Sequence, residues 1–111
     1  MKGKTMAEYI QVSTTTDKKE DAERISREIV EKRLAACVQI SGPVTSVYRW
    51  KDNMEETEEW LLIMKTGKEL YPELEEAIKK IHPYETPEIL AVPVVAGSKS
   101  YLDWVDRETL K

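Results

Sequence analysis

One imidazole, His82, and one thiol, Cys37, limit the chemistry this chain can host. Pro83 holds His82 on a stiff loop, where it fits three roles: metal ligand, general base, or helix C-cap, with capping or packing favoured. Cys37 stands between Ala36 and Val38 where a helix hands over to an inner strand, which favours an inert apolar thiol. Two readings stay open for Lys65, which follows five apolar residues. It either places its ammonium in a cleft beside Glu85 or Tyr84, or snorkels from the end of a buried strand. Tyr48, Trp50, Trp60, Tyr84, Tyr101 and Trp104 suit core and subunit contacts ahead of a ligand cage. Glu55, Glu56, Glu58 and Glu59 form an acidic run that would suit a weak divalent-cation patch, or, as favoured, a solvated edge pairing with Arg49 and Lys51.

The sequence has no P-loop, no dinucleotide fingerprint, no Cys-x-x-Cys and no His-Glu-x-x-His. No nucleophile, base and orienting group can be assembled from what remains, so the expectation is a protein that is not an enzyme.

The elements that must position these groups centre on residues 44–66. Two runs of strand-forming residues flank Asp52-Asn53, a pair that tolerates positive φ, and read as one long β-hairpin. With Asp52 and Asn53 as the turn, Lys51 faces Met54, Arg49 faces Glu56, Val47 faces Glu58 and Thr45 faces Trp60. Trp60-Leu61-Leu62-Ile63-Met64 is apolar at every position, so both faces of that strand need cover.

Before the hairpin, residues 8–13 read as a strand and 14–17 as a turn. A capping-box-like Asp17 and Glu20 then open a helix with Ala22, Ile25, Ile29, Val30 and Leu34 on one face, closed by Lys32 and Arg33. Residues 35–40 start the next strand, which Gly42-Pro43 bends or bulges. After the hairpin, residues 67–81 read as a second helix with Pro72 in its first turn and Leu70, Leu74, Ala77, Ile78 and Ile81 as its stripe. His82, preceding proline, is expected to be extended. Residues 88–96 read as a last strand, at an edge or bulged at Pro93. Ser98 or Ser100 then caps a short final helix carrying Tyr101, Leu102, Trp104 and Val105. The fold class is α+β: a ferredoxin-like βαββαβ sandwich with a long hairpin between its second and third strands and a short C-terminal helix.

The 111 residues make one domain, 1–111, long enough for a single core. With 17 basic against 21 acidic residues and a net charge of -4, nucleic acid is not an expected partner. The lone cysteine fits a reducing compartment, no stretch suits a membrane helix, and residues 1–6 do not lead into a signal-like apolar segment. A cytoplasmic protein is expected. Charged residues at 34% in mixed sign resemble the ion-pair surfaces of heat-adapted proteins, so thermostability is expected as well.

Several motifs together resemble CutA, the divalent-cation tolerance family. They are Arg33-Leu34-Ala35-Ala36-Cys37-Val38, Ser46-Val47-Tyr48-Arg49-Trp50, Lys65-Thr66, His82-Pro83-Tyr84-Glu85-Thr86-Pro87-Glu88-Ile89 and Tyr101-Leu102-Asp103-Trp104. The resemblance implies a tight homotrimer related to PII-like signalling proteins, with hairpins completing sheets between subunits. It implies inter-subunit clefts lined by Tyr48, Trp50, Lys65, Tyr84, Glu85 and Trp104, open to a small ligand. It also implies tolerance of copper and other divalent cations, with His82 and Cys37 as the positions to weigh for Cu²⁺. Some copper-binding members resemble this chain with a cysteine where Ser13 stands and a histidine where Ile81 stands. Without them His82 would keep weak oxygen co-ligands, a poor match to the soft or imidazole-rich sites copper prefers. Asp52 stands where the family usually has glycine, which implies an altered turn.

Overall fold

The computed structural model describes residues 8–110. Residues 1–7 and 111, including the N-terminal stretch weighed as a leader, lie outside the described residues. Strand β1 (Tyr9–Thr16) leads into helix α1 (Lys19–Glu31), and the hairpin follows as β2 (Cys37–Trp50) and β3 (Asn53–Gly67). A 3-10 turn, Lys68–Leu70, opens α2 (Tyr71–Ile81); β4 (Leu90–Pro93) and α3 (Lys99–Glu108) complete the chain. The sheet order β2-β3-β1-β4, antiparallel throughout, is the ferredoxin-like arrangement.

Alternation along the strands decides the layers. Ile10, Val12, Leu62 and Met64 point to one face and pack with Ala22, Ile25 and Ile29 of α1 and Leu74 and Ile78 of α2. On the opposite face, α3 covers one end: Leu102 and Val105 pack with Tyr9 and Ala36, and the Tyr9 hydroxyl donates to Asp106 at 2.7 Å. Among the described residues, the rest of that face has no such layer. Leu61 and Ile63 are half-buried there, and Leu90 and Val92, paired with Ser13 and Gln11, are more than half exposed.

The hairpin turn lies one residue earlier than expected. Lys51 and Asp52 carry positive φ, 51° and 70°, and Trp50 pairs with Asn53, so Arg49 faces Met54 and Val47 faces Glu56. The cause is a bulge that turn chemistry alone does not reveal. Ser41 pairs with Leu61 and Val44 with Glu59, so Gly42 and Pro43 stand opposite the single residue Trp60. One extra residue added to the inner register leaves a two-residue turn at 51–52; a turn at 52–53 would need two more.

Smaller departures have local causes. β1 runs on through Thr14, Thr15 and Thr16, β-branched residues paired with Leu62, Leu61 and Trp60. Helix α1 starts after Asp17, too late for the expected capping box; its N-cap Lys18 makes no side-chain cap, and the Thr16 hydroxyl donates to the Lys18 carbonyl at 2.8 Å. Val30 lies at the flank of α1, 40% exposed. Arg33 adopts φ 60°, and the Arg33 and Leu34 amides donate to the Val30 and Ile29 carbonyls, a Schellman closure. Its guanidinium caps a different helix than expected, donating to the Arg107 and Glu108 carbonyls at the end of α3. β4 is shorter than its apolar run because it pairs only with residues 10–13 of β1, ending at Pro93. Ser98 caps α3, accepting from the Tyr101 amide. The described ion pairs, such as Lys32 with Glu28 and Lys79 with Glu75, join neighbours on one helix, each contributing a few tenths of a kcal/mol.

Candidate functional site

His82 leaves α2 in an extended conformation, φ -77° and ψ 135°, as proline at 83 requires. That bend drops its ring onto the end of β1. Nε2 lies 2.8 Å from the Thr15 carbonyl oxygen, and the Tyr84 amide donates to Nδ1 at 3.1 Å. A carbonyl only accepts, so the proton sits on Nε2 and the lone pair on Nδ1 is taken. Burial lowers the histidine pKa from its ordinary 6.5, while the Thr15 carbonyl and the nearby Asp21 and Glu59 pull the other way. The ring is a neutral clamp between strand and loop, and it packs against Tyr84 with centroids 4.8 Å apart.

The clamp aims Tyr84 across the sheet. Its hydroxyl donates to Glu59 Oε2 at 2.6 Å, and burial and the adjoining carboxylate push the phenol well above its ordinary value, keeping it a donor. Glu59 is only 7% exposed. Replacing Tyr84 by phenylalanine is expected to cost about 1–2 kcal/mol in urea unfolding, because it strips a charge-assisted bond from a buried carboxylate.

The bulge then assembles the rest. Downstream of Gly42-Pro43 the side chains of β2 exchange faces, so Ser46, Tyr48 and Trp50 point to the same side as Glu59. With the loop carrying Tyr84, Glu85 and Glu88, they enclose a cavity of about 610 Å³. That size suits a small molecule.

Of the six residues expected around a cleft, Tyr48, Trp50, Tyr84 and Glu85 line this cavity. Lys65 and Trp104 do not. Lys65 is six residues beyond Glu59 on β3, roughly 20 Å at strand rise, where it donates to Gln39 Oε1 and borders a separate 190 Å³ cavity under α3. Trp104 sits on α3 against the Tyr9 cluster. Sequence reasoning missed Glu59, which looked like part of a solvated acidic edge, and Thr15 and Glu88, which also line the cavity. The usable signal was strand alternation through the bulge, which puts Glu59 beside Tyr48 rather than with Arg49.

The two metal candidates are far apart. Cys37 is half-buried on the face away from α1 and α2, paired with Lys65, and its thiol meets the Tyr101 side chain. His82 meets Thr15, whose strand partner is Leu61, four residues or roughly 13 Å from Lys65 along β3. Among the described residues, no group of three or more His, Cys, Asp or Glu side chains converges as a metal site.

Comparison with known proteins agrees with this architecture. Residues 10–108 match the family described as CutA1 divalent ion tolerance protein. The divalent-cation tolerance protein CutA of Thermus thermophilus is 44% identical over 98 residues, covering 88% of this chain and 95% of that one. Mouse protein CutA is 47% identical over 88 residues, 79% of this chain; the match spans only half of the mouse protein. A solved structure from Archaeoglobus fulgidus, described as a periplasmic divalent cation tolerance protein CutA, superposes with a TM-score of 0.87 at 38% identity, covering 90% of this chain and 97% of that one. A fold shared at this identity, over nearly every described element, places this chain in the CutA1 divalent ion tolerance family.

Proposed function

We propose that the chain works as a non-enzymatic homotrimeric binding scaffold of the divalent-cation response, in the cytoplasm, receiving a small ligand in the cavity beside Tyr84. The observation that carries the trimer is the bare apolar surface. Leu90, Val92 and Val95 are 59%, 53% and 83% exposed, and Val47 and Met54 on the hairpin are 60% and 76% exposed. Chains do not leave long apolar edges and faces in water, and closed symmetric association of copies covers them. The molecule measures 52 Å along its longest axis against 25 and 22 Å, so its two 14- and 15-residue arms are long enough to reach a neighbour's sheet.

Two further observations support the scaffold reading over chemistry or direct copper ligation. His82, the general-base candidate and the best copper ligand, commits both ring nitrogens to backbone groups. Cys37 lies too far away to join it. The cytoplasmic assignment rests on the single thiol, which leaves the fold independent of any internal disulfide.

Light scattering at micromolar concentration is expected to give three times the chain mass, and Val92→Glu on the open face is expected to shift the population toward monomer. A wild-type protein that stays monomeric would overturn the scaffold.

A further inference from the structure

The cavity beside Tyr84 has an unusual lining. Three carboxylates, Glu59, Glu85 and Glu88, share it with three aromatic rings, Tyr48, Trp50 and Tyr84, and among the described residues no basic side chain lines it. Glu59 carries the argument. It is 93% buried, and among the described residues no basic group pairs with it and its one hydrogen bond, from Tyr84, uses Oε2 and leaves Oε1 without a partner. A buried carboxylate with an unused oxygen is costly unless a cation or donor meets it.

The aromatic rings say which kind of cation. Their faces attract ammonium groups and pack against methylene chains, whereas a hydrated metal ion gains little from them. Trp50 already accepts one alkylammonium, with Lys51 Nζ 5.8 Å from its ring centroid. The carboxylates share the cavity without converging on a point, as no three acidic side chains form a metal-sized cluster among the described residues. Spread acceptors on aromatic walls match several N–H donors strung along an apolar chain.

We infer that this cavity binds a linear aliphatic polyamine, with ammonium groups on Glu59 and the Glu85-Glu88 loop and methylenes along Tyr48, Trp50 and Tyr84. The inference rests on the reading of the cavity as a ligand site and names the class of ligand.

Titration calorimetry of the full chain with spermidine, at physiological salt, tests it against Mg²⁺ and against variants. Spermidine is expected to bind at submillimolar concentration. Glu59→Gln keeps the acceptor for Tyr84, and Glu85→Gln alters an exposed loop; each is expected to weaken binding about tenfold, the loss of one charge-assisted bond. Glu23→Gln, on the exposed side of α1, is expected to leave it unchanged. Equal weakening by Glu23→Gln would reduce the effect to the overall negative charge and overturn the site. So would full displacement of spermidine by equimolar Mg²⁺, or no binding tighter than about millimolar. Light scattering on the same samples separates the two ideas: a trimer indifferent to spermidine sinks this inference alone, and a monomer that binds spermidine in the expected way sinks the trimer alone.

Discussion

His82→Ala is expected to destabilise the fold by about 3 kcal/mol, since it leaves a buried carbonyl and a part-buried amide without partners and opens a void beside Tyr84. The partners in question are the Thr15 carbonyl and the Tyr84 amide, tied today by one ring. Denaturant unfolding gives the size, and its pH dependence identifies the mechanism. The folded-state pKa of His82 is lowered, so the unfolded chain binds the proton more readily. The stabilisation is then whole above the ordinary value of 6.5 and is lost as pH falls through and below it. Between pH 7 and pH 5 the wild-type protein is expected to lose stability faster than His82→Ala, which lacks the group. Parallel pH profiles would show that His82 takes up its proton as readily in the folded chain as in the unfolded one and is no neutral clamp. Asn at this position retains a donor and an acceptor on a shorter arm and is expected to recover only part of the loss.

The same residue shows what a single sequence reveals and what it hides. Proline at 83 made the extended backbone of His82 legible, and the favoured packing role follows from that geometry. Its two partners were not legible, because Thr15 lies 67 positions away and was read as part of a turn. Periodicity gave the helices and the strand order, since Ile25, Ile29, Leu74 and Ile78 mark inner faces by spacing alone. It could not give Glu59. In sequence that residue is one of four glutamates near a turn, and its burial comes from a loop 25 residues further on that folds over the sheet. Lys65 stands apart from this cavity for a simpler reason. A 15-residue strand is roughly 50 Å long at strand rise, so two residues of one strand can serve opposite ends of the molecule.

Gly42→Ala is the substitution expected to damage both fold and cavity, at about 3–5 kcal/mol from backbone strain and overpacking together. Gly42 has φ 152°, which side-chain-bearing residues rarely adopt. A methyl group there would lie 2.8 Å from the Trp60 ring and 3.0 Å from the Glu59 carbonyl oxygen. The ring can shift; the carbonyl belongs to the central hairpin strand and cannot shift without moving Glu59. Relief would come from erasing the bulge, and the bulge is what turns Tyr48 and Trp50 toward Glu59. A β2 strand without it would carry both aromatics to the other face, because a one-residue slip reverses every side chain beyond it. The variant is therefore expected to lose stability in urea and, where it still folds, to carry Tyr48 and Trp50 away from Glu59. An alanine variant as stable as the wild type would mean that the bulge tolerates a side chain and that Gly42 does not set the face of the hairpin.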